Sequence, residues 1–291
     1  MRYGVRHLTR YCYAETVSGS THDLHLLPRE LPRQRCLSSR LDLRPAPIVV
    51  RERLDYFGNR ASHVVLAVPH GELSVLAESR VEVDAAPRLV ADEDVAWEPV
   101  AQALRAGRAD LHAQEMALAS PFASSWPALR AYGALSFSPG RPLLGACLDL
   151  MARIHRDFVY DPGATTVATP LAEVFERRRG VCQDFAHLMI AVLRGLGLAA
   201  RYVSGYLATT PPPGQPRLRG ADASHAWVAV FSPRFGFVDL DPTNDCVVDV
   251  RHITLALGRD FGDVTPLRGV VHGGGAHELR VAVDVLAEGE L

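Results

Sequence analysis

Residues 177–194 read RRRGVCQDFAHLMIAVLR, and this stretch decides how the rest of the chain is interpreted. Gly180 ends the preceding segment, and the apolar residues that follow recur at steps of three and four, the period of a helix with one buried face. These residues are Phe185, Leu188, Met189, Val192, Leu193 and Leu196. The pattern predicts that Cys182 lies in the first turn of a helix. Free N–H groups and the helix dipole there favour a thiolate and can hold an oxyanion, so Cys182 is a candidate nucleophile.

Two strand-like segments downstream supply a candidate base and a candidate acid. Residues 223–231 (ASHAWVAVF) alternate in polarity, and residues 236–241 (GFVDLD) follow after a short turn-rich linker, which predicts a hairpin. His225 lies on the first strand, whereas Asp239 and Asp241 share one face of the second, so the alternation does not choose between them. A cysteine, a histidine and a carboxylate are the nucleophile, base and orienting acid of acyl-transfer catalysis.

Three segments together carry a family resemblance: GVCQDFA at 180–186, SHAW at 224–227 and DLDPTN at 239–244. They resemble the three motifs of the transglutaminase-like core, a papain-related superfamily. The resemblance implies that Cys182 is the nucleophile, His225 the general base and Asp241 the acid, because the family's acid immediately precedes a proline. Asp239 remains the alternative acid.

The resemblance also suggests which residues line the cleft. In such cores an aromatic residue upstream of the cysteine often lies beside it, and Tyr160 is the candidate here, although a buried structural tyrosine fits the sequence equally well. Gln183 and Trp227, which belong to the same motifs, are further cleft or oxyanion candidates. His187 lies five residues beyond Cys182, so we expect it to point away from the thiol and to pack locally.

The order of the predicted elements favours an α+β fold with two domains. Up to about residue 85, short strand patterns separated by turns predict a sandwich-like β unit, and DYFGN at 55–59 resembles part of the N-terminal domain that accompanies bacterial transglutaminase-like cores. We therefore expect an N-terminal β domain at 1–90. A transglutaminase-like or papain-like core with a helical lead-in, its cysteine helix packed on an antiparallel sheet, follows at 91–291. The proline-rich residues 211–216 predict an exposed loop.

Composition excludes several classes of function. The 291 residues carry 31 basic residues, all arginine, and 33 acidic ones, so the net charge of −2 offers no basic field for nucleic acid or for a membrane surface. No long apolar run or signal peptide is evident, and the five scattered cysteines fit a reducing compartment, so the expected location is cytoplasmic.

Neither a metal nor a cofactor is expected. His22 and His25 are three residues apart on a predicted strand and would face opposite sides. Asp239, Asp241 and Asp245 lack the glycine and the bidentate glutamate of an EF-hand loop.

The expected function is acyl transfer from an amide bond of a peptide or protein substrate through a Cys-His-Asp triad and a thioester. A cysteine peptidase or amidase is favoured. A protein-glutamine amine transglutaminase is one alternative, because the acceptor depends on the wetness of the cleft. A non-catalytic peptide- or protein-binding module on the same fold is another. The resemblance also implies a pathway association with an ATP-grasp-like ligase.

Overall fold

The computed structural model of the chain describes residues 1–87, 89–209 and 224–288, so the loop expected at 211–216 lies outside the described residues. The strands are β1 (Arg2–Leu24), β2 (Gln34–Arg44), β3 (Val49–Leu54), β4 (Arg60–Leu66), β5 (His70–Val83), β6 (Val159–Tyr160), β7 (Arg179–Gly180), β8 (Ala200–Leu207), β9 (Ser224–Ser232), β10 (Gly236–Asp241), β11 (Cys246–Val247), β12 (His252–Gly258), β13 (Leu267–Gly273) and β14 (His277–Ala287). The helices are α1 (Trp97–Arg105), α2 (Leu111–Met116), α3 (Pro127–Ala134), α4 (Leu143–Asp157), α5 (Leu171–Arg177), α6 (Cys182–Gly195) and α7 (Phe261–Val264). Within the described ranges, no helix combines the length and the apolar character needed to cross a membrane.

The N-terminal region forms a seven-stranded sheet around the long strand β1. The first half of β1 pairs with β5 and β14, and its second half pairs with β4 and β13, with a shift of register between Cys12 and Val17. The strands of this sheet bury an apolar core of their own. The core contains Leu24, Leu26, Leu43, Val64, Leu66, Leu73, Val75 and Ala77.

The last two strands return to this first sheet. β13 and β14 both pair with β1, so residues 267–287 are hydrogen-bonded to the N-terminal sheet rather than to the second one. The sequence predicts that all residues after 90 belong to the second domain, whereas the strand pairing joins residues 267–287 to the first sheet. The physical reason is that β1 would otherwise present an unpaired edge, and the end of the chain covers it. The domain boundary at residue 90 itself stays a prediction.

The second sheet is antiparallel in the order β11-β10-β9-β8-β12, and α6 packs on β8 and β9. The α+β architecture and the cysteine helix expected from the sequence are thus confirmed. The helix differs from the expectation in one respect, because every residue from Asp184 to Arg194 is buried rather than one face alone. Helices α3, α4 and α5 cover its other side, and the guanidinium of Arg194 is paired with the carbonyl oxygens of Met116, Ala200 and Arg259.

Two side-chain amides from the N-terminal region bind the backbone of β12, the edge strand of the second sheet. Gln34 donates to the carbonyl oxygen of Thr254 at 2.7 Å and accepts from its N–H at 2.7 Å. Asn59 makes the same pair of bonds with Leu257, at 2.7 and 2.8 Å. Each amide therefore acts as a neighbouring strand would, and the N-terminal region holds this edge of the second sheet.

The start of α6 is fixed by Asp184 and by the absence of a side chain at Gly180. The Asp184 carboxylate accepts from the Val181 N–H at 2.8 Å and from the Thr165 hydroxyl at 2.7 Å, which caps the helix. A Cβ atom on Gly180 would lie 2.6 Å from Asp184 Oδ2. Only glycine therefore leaves room for the cap that positions Cys182.

Replacing Asn59 by Ala should lower the free energy of unfolding by about 2 kcal/mol or more, because the N–H and carbonyl of Leu257 would be buried without partners. Urea denaturation measures this change. The exposed Arg51 on β3 provides the control, since Arg51→Ala should change stability by less than about 0.5 kcal/mol. Equal effects of the two substitutions would contradict the pairing of Asn59 with β12.

Gly180→Ala should destabilise the protein by about 1–2 kcal/mol, because the added methyl group displaces the Asp184 cap. The matched control is Gly71→Ala in β5, where an added Cβ meets nothing within 4 Å and the backbone needs no glycine. Thermal unfolding of both variants measures the difference. A Gly180→Ala variant as stable as Gly71→Ala would show that the cap does not depend on this glycine.

Candidate active site

Cys182 is the first residue of α6, as the sequence predicts, and it is partly exposed. The first N–H groups of a helix have no partner within it and point past this residue. The Cys182 thiol and the imidazole of His225 are neighbours, since the thiol helps to raise the pKa of that imidazole. The helix start and the histidine strand therefore meet at the sulfur atom.

His225 links Cys182 to an acid. Its Nε2 atom lies 2.7 Å from Asp241 Oδ2, and its side chain is only 9% exposed. Burial by itself would lower the pKa of His225, but the hydrogen bonds to Asp241 and to Cys182 outweigh it and raise the pKa to about 10. The imidazole is therefore held as an imidazolium at neutral pH, the form that stabilises a thiolate.

Asp241 is completely buried and fully hydrogen-bonded. Its Oδ2 atom lies 2.7 Å from His225 Nε2 and 3.2 Å from His252 Nε2, and it accepts a hydrogen bond from the side-chain amide of Asn244 at 2.7 Å. Oδ1 accepts from the backbone N–H groups of Thr243 at 2.9 Å and Asn244 at 3.2 Å. Burial favours the neutral acid, but the hydrogen bonds from the two histidines outweigh it and hold the pKa of Asp241 well below its usual range.

Asp239, the alternative acid, lies elsewhere on β10. Among the described residues no hydrogen bond joins it to His225, and the charge with the largest effect on its pKa is the guanidinium of Arg201. Burial raises the pKa of Asp239 despite that guanidinium. The geometry thus brings Asp241, and not Asp239, to the imidazole.

The three cleft candidates have different surroundings. Tyr160 is 51% exposed and pairs with Gly180 across β6 and β7. Partial burial, together with the charge of Cys182, raises the pKa of its hydroxyl. Gln183 lines a pocket of about 350 Å³ beside α6, together with Trp126 and other residues.

Trp227, the third candidate, lies in the interior of the protein. Its side chain is completely buried, and Gly205 leaves the space that its ring occupies, since a Cβ there would lie 2.4 Å from it. The indole packs 5.3 Å from the ring of His252 and 6.1 Å from that of His225, measured between centroids. Trp227 is therefore a packing residue beneath the histidines.

His187 packs locally, as expected from its place on the helix. Its ring stacks on Tyr202 at 4.9 Å, its Nε2 accepts the N–H of Phe261 at 3.2 Å, and burial lowers its pKa to about 4. The imidazole is therefore neutral at physiological pH and is separate from the Cys182 pair.

His252 is a member of the site that the sequence did not reveal. The donor atoms of His225, Asp241 and His252 all lie within 4.8 Å of one another, a spacing that could hold a metal ion. The two ring nitrogens instead make hydrogen bonds to the same carboxylate oxygen. His22 and His25 belong to no group of three such ligands in the described part of the chain.

Comparisons with known proteins identify the same family that the sequence motifs resemble. Residues 3–82 match the bacterial transglutaminase-like N-terminal region, and residues 138–242 match the transglutaminase-like superfamily. A Mycobacterium tuberculosis protein described as uncharacterized is 43% identical over 290 residues, which cover 98% of this chain and 92% of that protein. A Pseudomonas aeruginosa protein-glutamine gamma-glutamyltransferase is 33% identical over 102 residues, which cover 32% of this chain and 15% of that protein.

A solved structure from Cytophaga hutchinsonii, described provisionally as a cysteine protease, has the same fold. It superimposes with a TM-score of 0.75 over 99% of this chain and 91% of its own, at 19% sequence identity. At this identity the likeness concerns the fold alone. The two matched regions, together with the relative that is 43% identical over 98% of this chain, show that the chain belongs to the transglutaminase-like superfamily and carries the bacterial N-terminal region of that family.

Proposed function

We propose that the protein is a thiol-dependent acyl-transfer enzyme that acts on amide bonds of peptides or proteins through Cys182, His225 and Asp241. The observation that carries the proposal is the position of His225, which is hydrogen-bonded to the Asp241 carboxylate and is close enough to Cys182 for the thiol to act on its pKa. This is the arrangement that activates a cysteine nucleophile.

The first half of the reaction forms a thioester. Because Nε2 of His225 is bound to Asp241, Nδ1 is the nitrogen left to face Cys182. The thiolate attacks the substrate carbonyl carbon, and the N–H groups at the start of α6 stabilise the resulting oxyanion, with the Tyr160 hydroxyl as an additional donor. The imidazolium then protonates the departing amine or ammonia, and the acyl group remains on sulfur.

The second half returns the acyl group to an acceptor. The imidazole removes a proton from the acceptor, which attacks the thioester and releases the Cys182 thiolate. With water the protein is a peptidase or amidase, the assignment we favour. Transfer to a primary amine is the second candidate, and the similarity to the Pseudomonas glutamyltransferase supports it. This candidate requires that an added primary amine becomes covalently attached to the acyl product.

The thiolate–imidazolium pair should make Cys182 react quickly with iodoacetamide below neutral pH. At about pH 6, His225→Ala should slow labelling about 10- to 100-fold, because an unpaired thiol is then mostly protonated. Intact mass measures the rate, and Cys182→Ala identifies the labelled residue. His272 is exposed and serves as the matched control, so His272→Ala should react like the wild type.

A labelling rate that rises only near the pKa of a free thiol, about 8.5, and ignores His225 would rule out the enzyme. The non-catalytic binding module would then be the better account of this fold.

A further inference from the structure

His252 lies at the start of β12, and its side chain is completely buried. Its Nε2 atom is 3.2 Å from Asp241 Oδ2, the same oxygen that His225 Nε2 contacts at 2.7 Å. Two imidazoles from different strands therefore share one carboxylate oxygen.

The surroundings fix the proton on one nitrogen of His252. Asp241 is ionised and can only accept hydrogen bonds, so Nε2 of His252 must carry a proton. Nδ1 faces Asp249, with the backbone N–H at 3.3 Å and Oδ1 at 3.2 Å, and Arg251 holds that carboxylate through an ion pair of 2.8 Å. In either charge state of the ring, the Nε2–H dipole points its positive end at Asp241.

His252 is not needed to orient Asp241. The carboxylate keeps four other hydrogen bonds, from the backbone N–H groups of Thr243 and Asn244, the Asn244 amide and His225. His252 adds a further N–H donor to the oxygen that binds His225. This donor stabilises the negative charge of Asp241 and so weakens the attraction of Asp241 for the His225 imidazolium. The positive end of its dipole also lies near that imidazolium, with 6.2 Å between the ring centroids of His225 and His252. Both effects disfavour a proton on His225.

Other ionisable groups face this cluster from each neighbouring element. They are Cys182 from α6, Asp239 from β10, Cys246 from β11, and Asp249 and Arg251 from the loop before β12. Only His252 and Asn244 share the oxygen of Asp241 with His225 among the described residues, and Asn244 does not titrate.

We propose that His252 is a positioning residue that acts through Asp241 to limit how strongly His225 holds its proton. The proposal rests on the proposed function, in which His225 must first donate a proton to the leaving group and then accept one from the incoming acceptor. An excessively basic imidazole would stay protonated and slow the second step. A second donor on Asp241 brings the affinity of His225 for its proton closer to what both steps require.

The test follows the ring titration of His225 by NMR in protein carrying ¹⁵N-labelled histidine, with His225→Ala used to assign the signal. His252→Phe keeps an aromatic ring but removes the donor, so the midpoint for His225 should rise by about one pH unit, the equivalent of one hydrogen bond. His252→Gln keeps an N–H for Asp241 and should restore the wild-type midpoint. A structural role alone would not separate these two variants.

The wild-type protein supplies a second measurement that needs no substitution. Nε2 of His252 should show the chemical shift of a protonated nitrogen throughout the range in which Asp241 is ionised. An unprotonated Nε2, an unchanged or lower midpoint in His252→Phe, or equal midpoints in the Phe and Gln variants would overturn the proposal. Iodoacetamide labelling of Cys182, compared between the wild type and His225→Ala, reports separately on the proposed function, since labelling that ignores His225 would contradict that function whatever the midpoint of His225.

Discussion

Asp241 is a carboxylate without access to solvent, and it must remain ionised to hold the His225 imidazolium. An isolated buried charge would be neutralised, so the surrounding chain has to supply donors. The turn after β10 provides the two N–H groups and the amide that reach it, and β9 and β12 each bring a histidine. The proposed activation of Cys182 at the start of α6 depends on this hydrogen-bonded carboxylate, because the imidazolium is stable only while Asp241 is charged.

The second sheet is what assembles these groups from distant parts of the sequence. The histidines of β9 and β12 are brought to β10 from different positions in the strand order β11-β10-β9-β8-β12. β12 is the edge strand, and its outer side is held by the amides of Gln34 and Asn59 from the N-terminal region. The N-terminal region therefore contributes to the site at a distance, by fixing the strand that carries His252.

Much of this arrangement is accessible from the sequence. The helix beginning at Cys182, the hairpin carrying His225 and the α+β organisation follow from local periodicity and from three motifs. The acid is different, because strand alternation puts Asp239 and Asp241 on one face and does not choose between them. The family motif favours Asp241, and in the structure Asp241 is the one that is hydrogen-bonded to His225. His252 carries no local signal, since it lies eleven residues beyond Asp241 and reaches it through sheet formation.

The burial of Trp227 could not be predicted from the sequence either, because alternation does not tell which face of a strand another element covers.

The most direct test of the proposed nucleophile is acylation by 4-nitrophenyl acetate, followed as nitrophenolate release and by intact mass. We expect one acetyl group on Cys182, formed at least about 100-fold more slowly in Asp241→Asn and at a nearly unchanged rate in Asp239→Asn. Acetylation spread over other residues, or a rate indifferent to Asp241, would contradict a nucleophile activated through His225.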